Sequence, residues 1–284
     1  MPAKQIQIRG RIVLTERPLI MGIINISADS FYAGSRVLNE SELLKKAEIM
    51  LRDGADILDI GAVSTRPGAL LPDKTEEMTL LQPVLSTLQA HFPDASLSVD
   101  TVHSDVARMA VADYDVAMVN DISGGQIDAE MFKTIAGLKV PYVLMHMKGK
   151  PENMQQNTDY LDLKAEVFHY FSEKINQLHL LGVADIIVDP GFGFAKNLAQ
   201  NYELMASLDE FQIFEKPVLV GVSRKSMIRK LLECSPEDAL NGTSVLHTIA
   251  IAKGADILRV HDVKEAREVV KIMQELKIGI NNKR

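Results

Sequence analysis

Apolar positions along this chain fall in short, continuous runs separated by amphipathic stretches. Residues 6–15 are the exception, because they alternate. Ile6 and Ile8, then Ile12 and Leu14, flank Arg9-Gly10-Arg11, which predicts a short leading β-hairpin at about residues 5–16. From Leu19 a rhythm sets in. Residues 19–27, 56–61, 97–101, 117–122, 141–147, 185–189, 217–223 and 257–261 read as strands. Helical spacing fills the intervals. The first helix is expected from a cap at Ser41 through Leu43, Leu44, Ala47, Met50 and Leu51 to a stop at Gly54. Others are expected at 75–92, 104–114, 128–138, 161–181, 198–211 and 264–276, with helical residues after Ser223 reaching Gly254.

Runs without alternation suit a parallel sheet covered on both faces. Eight strand–helix units predict the α/β class and a single (β/α)8 TIM barrel over residues 1–284, led by the hairpin. An open doubly wound sheet is the rival, but no Gly-rich dinucleotide turn follows the first strand. No break in composition marks a second domain.

Charge narrows the ligand classes. The net charge of −7 argues against nucleic acid or an acidic membrane as partner, so an anionic ligand needs a local cluster of cations or amides. The single cysteine, Cys234, is expected within a helix; it allows no intramolecular disulfide and fits a reducing compartment. The N-terminal residues carry no apolar leader, and no apolar run reaches membrane-span length, so a cytoplasmic location is expected.

Candidate chemistry lies at the strand ends. In order they close on Asn25; Asp59 with Ser64-Thr65-Arg66; Asp100-Thr101; Asn120-Asp121; His146; Asp189; Ser223-Arg224-Lys225; and Arg259 with His261-Asp262. Each has a bland reading: Asn120-Asp121 as an Asx turn, His146 as a satisfied core histidine, Asp59 as a turn residue. Eight polar ends at one mouth point instead to a shared cup. Asp100, Asn120, Asp189 and Lys225 can read a flat heterocycle, because a buried carboxylate facing an N–C–N edge accepts two charge-assisted hydrogen bonds. Asn25, Arg66, Arg259 and His261 suit a diphosphate, with Asn25 lending an oxygen to Mg²⁺. Adjacent residues at a strand end point to opposite sides, which turns Lys225 inward and Arg224 outward. Residues 28–35 and 64–72 have the Gly, Pro and polar content of lids.

The pieces MGIINISADSF, DILDIGAVSTRPGA, SVDT, VNDISGG, VLMHMKGKP, IIVDPGFGF, VGVSRKSMI and NGTSVLHTIAIAKGADILRVHDV resemble, in this order, the dihydropteroate synthase family, over about residues 18–271. The resemblance implies a folate-biosynthesis transferase that joins 6-hydroxymethyl-7,8-dihydropterin diphosphate to 4-aminobenzoate. It implies pterin contacts from Asp100, Asn120, Met145, Asp189, Gly193 and Lys225. Diphosphate contacts fall on Asn25, Thr65, Arg66, Arg259 and His261, with Mg²⁺ near Asn25. The aminobenzoate slot, which takes sulfonamides in the family, falls on Phe31, Thr65, Pro67, Lys225 and Ser226. Asp100, Asp189, Lys225 and Arg66 would be catalytic, and a homodimer is expected. The chain departs from the family at Ala28, where a proline is usual, and at Val63, where a glutamate is usual. Other readings are a pterin-dependent methyltransferase serving a corrinoid protein, a binder without turnover, and a phosphate-binding aldolase-type barrel. The first would not need the SRKS and RVHD pieces, and the last lacks a mid-strand lysine for a Schiff base.

Overall fold

The computed structural model describes residues 4–26, 36–62, 72–150, 152 and 154–281. The hairpin is present: β1 (Gln5–Ile8) pairs antiparallel with β2 (Arg11–Leu14). Its turn is Arg9-Gly10, at φ 48° and 72°, the two left-handed residues that match the twist of a tight hairpin.

Eight parallel strands follow: β3 (Leu19–Asn25), β4 (Ile57–Gly61), β5 (Leu97–Asp100), β6 (Met118–Asp121), β7 (Tyr142–Met145), β8 (Ile186–Asp189), β9 (Leu219–Val220) and β10 (Ile257–Val260). Their spatial order is β8-β7-β6-β5-β4-β3-β10-β9. A parallel bridge between Val188 and Val218 joins the two ends of that series, with Val188 N donating to Pro217 O at 2.8 Å. The sheet therefore curls into a barrel, and the open-sheet rival falls.

Helices α1 (Arg36–Asp53), α2 (Lys74–His91), α3 (Ser104–Tyr114), α4 (Met131–Leu138), α5 (Leu163–Leu180), α6 (Leu198–Ala206), α7 (Ser226–Leu232), α8 (Leu240–Ala252) and α9 (Val263–Asn281) complete the fold. Three expectations need correction. Helix α1 begins at Arg36, so Ser41 is not its cap; Glu40, Ser41 and Glu42 are simply exposed helical positions, while Leu43, Ala47 and Met50 face the core. The expected helix over 198–211 breaks into α6 and a 3₁₀ stretch, Leu208–Phe214. Cys234 lies just past α7, beyond a left-handed Glu233 at φ 50°, and not mid-helix. Among the described residues no helix is long and apolar enough to cross a membrane.

The strands look unpatterned in sequence because both faces are buried. Outward residues (Ile20, Leu58, Val99, Val119, Leu144, Val188, Leu258) pack under the helices in one large core. Inward residues form a separate cluster: Leu19, Met21, Ile57, Met118, Val143, Ile187, Leu219 and Ile257, closed beneath by Ile6 and Ile8 of the hairpin. That cluster is the floor of the barrel. Strand side chains repeat with period two, so the residue two places beyond each floor residue also points inward, one layer nearer the mouth. Apart from Met21, which itself follows Leu19 in the floor, those residues are Ile23, Asp59, Asn120, Met145, Asp189, Gly221 and Arg259.

Two ion clusters tie the lower rim. Asp56 accepts both Arg17 terminal nitrogens (2.9 and 2.6 Å), the Ile20 amide (2.8 Å) and an Arg267 nitrogen (3.1 Å). Asp256 accepts from Lys4 (3.2 Å), Thr15 (2.9 Å) and the Val218 amide (2.9 Å), which pins the hairpin to the last two strands.

Candidate active site

The inner layer above the floor is where the predicted residues meet. Asp59 of β4 is fully buried. Its Oδ2 accepts the Asn120 amide nitrogen from β6 at 3.0 Å and Arg259 Nε from β10 at 2.7 Å. The same guanidinium donates through Nη2 to Asp100 Oδ2 of β5 at 2.6 Å. Asp59 thus links three strands, with Arg259 carrying the network on to β5, and fixes both the amide of Asn120 and the plane of Arg259. Gly61 allows this crowding, since a Cβ there would stand 3.3 Å from that of Asp100.

Across the cup, Asp189 ends β8 and its Oδ1 accepts the Gly191 amide at 2.8 Å. The following turn runs through Gly191 and Gly193 at φ 71° and 81°, conformations costly for any residue with a Cβ. A Cβ on Gly191 would lie 2.0 Å from the His146 carbonyl, and one on Gly193 would lie 3.2 Å from Lys225 Cδ. Lys225, the residue preceding α7, extends its ammonium under this turn. It donates to Phe192 O at 2.5 Å and stands 4.5 Å from the centre of the Phe194 ring. Ser226 opens α7 beside it. An apolar wall of Val102, Ile122, Met145, Met147, Met154 and Phe194 lines the same side.

The electrostatics follow from packing charge into little space. Burial pushes the Asp100 carboxyl up to about 7, with Arg259 pulling the other way. Burial also raises Asp189, opposed by Lys225 and the Gly191 amide. Lys225 is brought down to about 8 by loss of hydration, while Asp189 holds it up. Arg259 also loses hydration, but Asp59 and Asp100 outweigh that loss and raise it further. Such a cup can present carboxyl and carboxylate oxygens to N–H groups of a flat ring and cations to acceptors on the same ring.

The rim carries the remaining residues. His261, at the exit of β10, meets Ser223 Oγ through its amide at 3.2 Å and Nδ1 at 3.1 Å. Although His261 is exposed at the rim, partial loss of hydration among the surrounding atoms and the nearby Arg259 cation hold its ring down to about 4, so it is neutral at pH 7. Asn25 ends β3 with its side chain in solvent. Arg259 was expected beside Asn25 and His261; its guanidinium instead lies against Asp59 and Asp100, where it bridges the two sectors. Phe31, Thr65, Arg66 and Pro67, with most of both candidate lids, lie outside the described residues.

Neighbouring strand-end residues do part company. Arg224, at φ 53°, turns outward to Asp262, with Nε and Nη2 each at 2.8 Å, and to the carbonyls of Pro236 and Glu237 at 2.7 and 2.9 Å. Asp121 points out of the cup and accepts the Tyr142 hydroxyl at 2.6 Å and the amides of Ser123 and Gly125. His146 also points outward, into an aromatic group with Tyr160, Tyr170 and Phe171.

Sequence reasoning left out three residues that the structure brings to the site. Asp59 was counted among the polar strand ends of the cup but given no role; its place two residues beyond Ile57 carried the signal. Lys196 is 2% exposed and lies beneath the glycine turn. Glu77 of α2 is wholly buried near Thr101 and Asp100; burial pushes it up to about 8, which keeps it a neutral acid. Glu77 had no signal because it sits in a polar run, Asp73-Lys74-Thr75-Glu76-Glu77, that reads as surface, and Lys196 had none because its partners are set by the glycine turn before it.

Comparison with known proteins agrees with this geometry. A family model described as a pterin binding enzyme matches residues 21–261. The dihydropteroate synthase of Escherichia coli K12 is 40% identical over 278 residues, covering 97% of this chain and 98% of the relative. A Yersinia pestis dihydropteroate synthase, solved with a sulfonamide drug complex, superposes with a TM-score of 0.89 at 40% identity, covering 96% of this chain and 99% of that one. The Thermus thermophilus enzyme, solved with 4-aminobenzoate, gives 0.85 at 34% identity over 96% and 100%.

Proposed function

The chain belongs to the dihydropteroate synthase family, and on that premise we propose how its mouth performs the family's reaction on pterin diphosphate and 4-aminobenzoate. The observation that carries the reading is the acid-lined cup with Lys225 threaded under a two-glycine turn. Asp100, Asn120 and Asp189 receive the pterin edge, Met145 supplies an apolar contact, and bare backbone at Gly193 lets the ring come close. Lys225 donates to the ring with its ammonium, while its stem and Ser226 border the aminobenzoate slot. Phe31, Thr65 and Pro67 complete that slot in this proposal. The Thermus relative was solved with 4-aminobenzoate and the Yersinia relative with a sulfonamide drug, which supports one slot for both.

The C–O bond to diphosphate breaks and a C–N bond to the arylamine forms, with one amine proton released. An arylamine is a weak nucleophile, and the described cup offers acids and cations with no free base aimed at it. We assign an SN1-like course. Asp100 and Asp189 stabilise positive charge that develops on the pterin, and Arg66 and His261 stabilise the departing diphosphate, with Arg259 contributing from its seat between the two sectors through the guanidinium edge that Asp59 and Asp100 leave. Mg²⁺ fits this arrangement in a limited way. Among the described residues no group of three or more His, Cys, Asp or Glu side chains is placed to hold a metal. Asn25 offers an oxygen at the mouth, as expected for an ion that keeps several waters and is bound through substrate phosphates. It would supply charge neutralisation for the leaving group.

A homodimer is also proposed. Exposed Leu231 and Leu232 of α7, Val245 and Ile249 of α8, and Ile272 and Leu276 of α9 offer an apolar surface for it. Incubation with pterin diphosphate, 4-aminobenzoate and Mg²⁺, followed by detection of dihydropteroate, tests the whole reading. Tight binding of the pterin without product would make this chain a binder and overturn it.

A further inference from the structure

A lysine is seldom buried unless its charge is used. Lys196 lies immediately beyond the glycine turn, 2% exposed. Its ammonium sits 3.0 Å from Gly191 O, 3.0 Å from Phe194 O and 3.1 Å from His146 Nδ1, with His146 O further off at 3.4 Å. Burial brings Lys196 down to about 7 while Asp189 holds it up; in its ammonium form it has three protons, and the three nearest acceptors take one each. For that, His146 must offer the lone pair of Nδ1. Burial and the cations Lys196 and Lys148 hold the His146 ring well below its usual range, so it is neutral and its proton rests on Nε2.

The segment so held carries three contacts of the cup. The Gly191 amide donates to Asp189, the Phe192 carbonyl accepts from Lys225, and the Phe194 ring lies beside the Lys225 ammonium. Its backbone bends through Gly191 and Gly193, and then Ala195 at φ 48°, so no ladder or helix fixes it. One turn bond, Phe194 N to Gly191 O at 3.1 Å, and the Gly193 amide on Asn201 Oδ1 at 2.6 Å also restrain it. Lys196 closes the turn from below by gripping the carbonyls at both its ends.

We propose that Lys196 is a positioning residue for the reaction: gripping residues 191–194 from beneath, its ammonium sets where Asp189 and Lys225 face the pterin. This rests on the pterin seat proposed above. A space-filling role would be served as well by methionine, whereas this role needs the three donors.

The test compares Lys196→Met, His146→Leu and His146→Asn, with Asp189→Asn as control, by pterin diphosphate titration, steady-state kinetics and thermal unfolding. Asn places Oδ1 where Nδ1 stood, so His146→Asn keeps the third acceptor. Lys196→Met should weaken pterin diphosphate binding at least tenfold and lower kcat. His146→Leu should weaken binding at least threefold, and His146→Asn should stay within twofold of the parent. If Lys196→Met does not fold, the His146 pair decides, because a packing role predicts no rescue by Asn. A folded Lys196→Met with pterin affinity and kcat within twofold of the parent overturns the proposal, even if it melts lower. So does a His146→Leu that matches His146→Asn. If Asp189→Asn also leaves affinity untouched, the pterin seat itself is misplaced; if Asp189→Asn weakens binding while Lys196→Met does not, only the role of Lys196 falls.

Discussion

Replacing Arg224 separates two adjacent cations by what they do. Its guanidinium makes four hydrogen bonds, two to the Asp262 carboxylate and two to the carbonyls of Pro236 and Glu237. They tie the exit of β9 to the exit of β10 and to the segment between α7 and α8. The side chains of Arg224 and Asp262 are 25% and 19% exposed, so the pair is only partly shielded. Charge-assisted bonds contribute about 1.5–3 kcal/mol each when shielded, and much less in water, so the set is worth about 2–4 kcal/mol in total. A chain of this length gains roughly 0.6 kcal/mol per kelvin of unfolding entropy, so Arg224→Ala should lower Tm by about 3–7 °C. Alanine keeps the strain of a positive φ at this position, and glycine removes it, so Arg224→Gly should melt about 1–2 °C above Arg224→Ala. Pterin affinity should stay near that of the parent. The assay is thermal unfolding and pterin titration of both variants beside Lys225→Ala. An unchanged Tm, or a larger loss of pterin affinity than Lys225→Ala shows, would refute the reasoning.

Three further outcomes are expected. Asp189→Asn keeps the acceptor for Gly191 but sets an N–H₂ against the donor edge of the pterin, so affinity should fall about 10- to 150-fold, or about 1.5–3 kcal/mol; calorimetry at parental affinity would contradict it. Removing that carboxylate also lowers Lys225 below its present value of about 8, so the loss should be larger at pH 8 than at pH 6.5. Lys225→Ala should damage both substrates' binding, and Lys225→Arg should not restore it, since a broad guanidinium cannot replace a point charge under the turn; recovery of turnover by Arg would count against this. His261 is neutral at pH 7 with its ring held at about 4. A neighbouring diphosphate raises that value, so binding should take up a proton and affinity should fall as pH rises through the raised value. Proton uptake measured by calorimetry in two buffers should vanish in His261→Gln; persistence of the uptake would exclude this ring.

How much of this was legible in the sequence depends on the kind of signal. The eight units were visible because each apolar run is bounded by amphipathic spacing. The convergence of Asp100, Asn120, Asp189, Lys225 and Arg259 followed from knowing that strands end at one mouth. Parity within a strand was harder to see, because Leu58 and Ile60 are as apolar as Ile57. Burial on both faces erases the alternation that would have shown Asp59 pointing inward. Lys196 was illegible for another reason. Apart from His146 Nδ1 its near partners are backbone carbonyls, and carbonyl placement is set by the glycine turn and not by any side chain pattern. Ser41 misled because a polar run on an exposed helical face has the same composition as a cap. For His146 the cup reading was wrong and the bland one right, since its aromatic surroundings and Lys196 satisfy it away from the cup.

The plug that Ile6 and Ile8 make beneath the barrel has a consequence for traffic. With the bottom sealed, whatever enters must come and go by a single doorway. The proposed pterin seat lies deep and the proposed aminobenzoate slot lies above it, an arrangement in which molecules would queue on a last-in, first-out basis. An occupant of the shallow slot corks whatever sits beneath it, and the finished product has to leave tail first before the next pterin can be admitted.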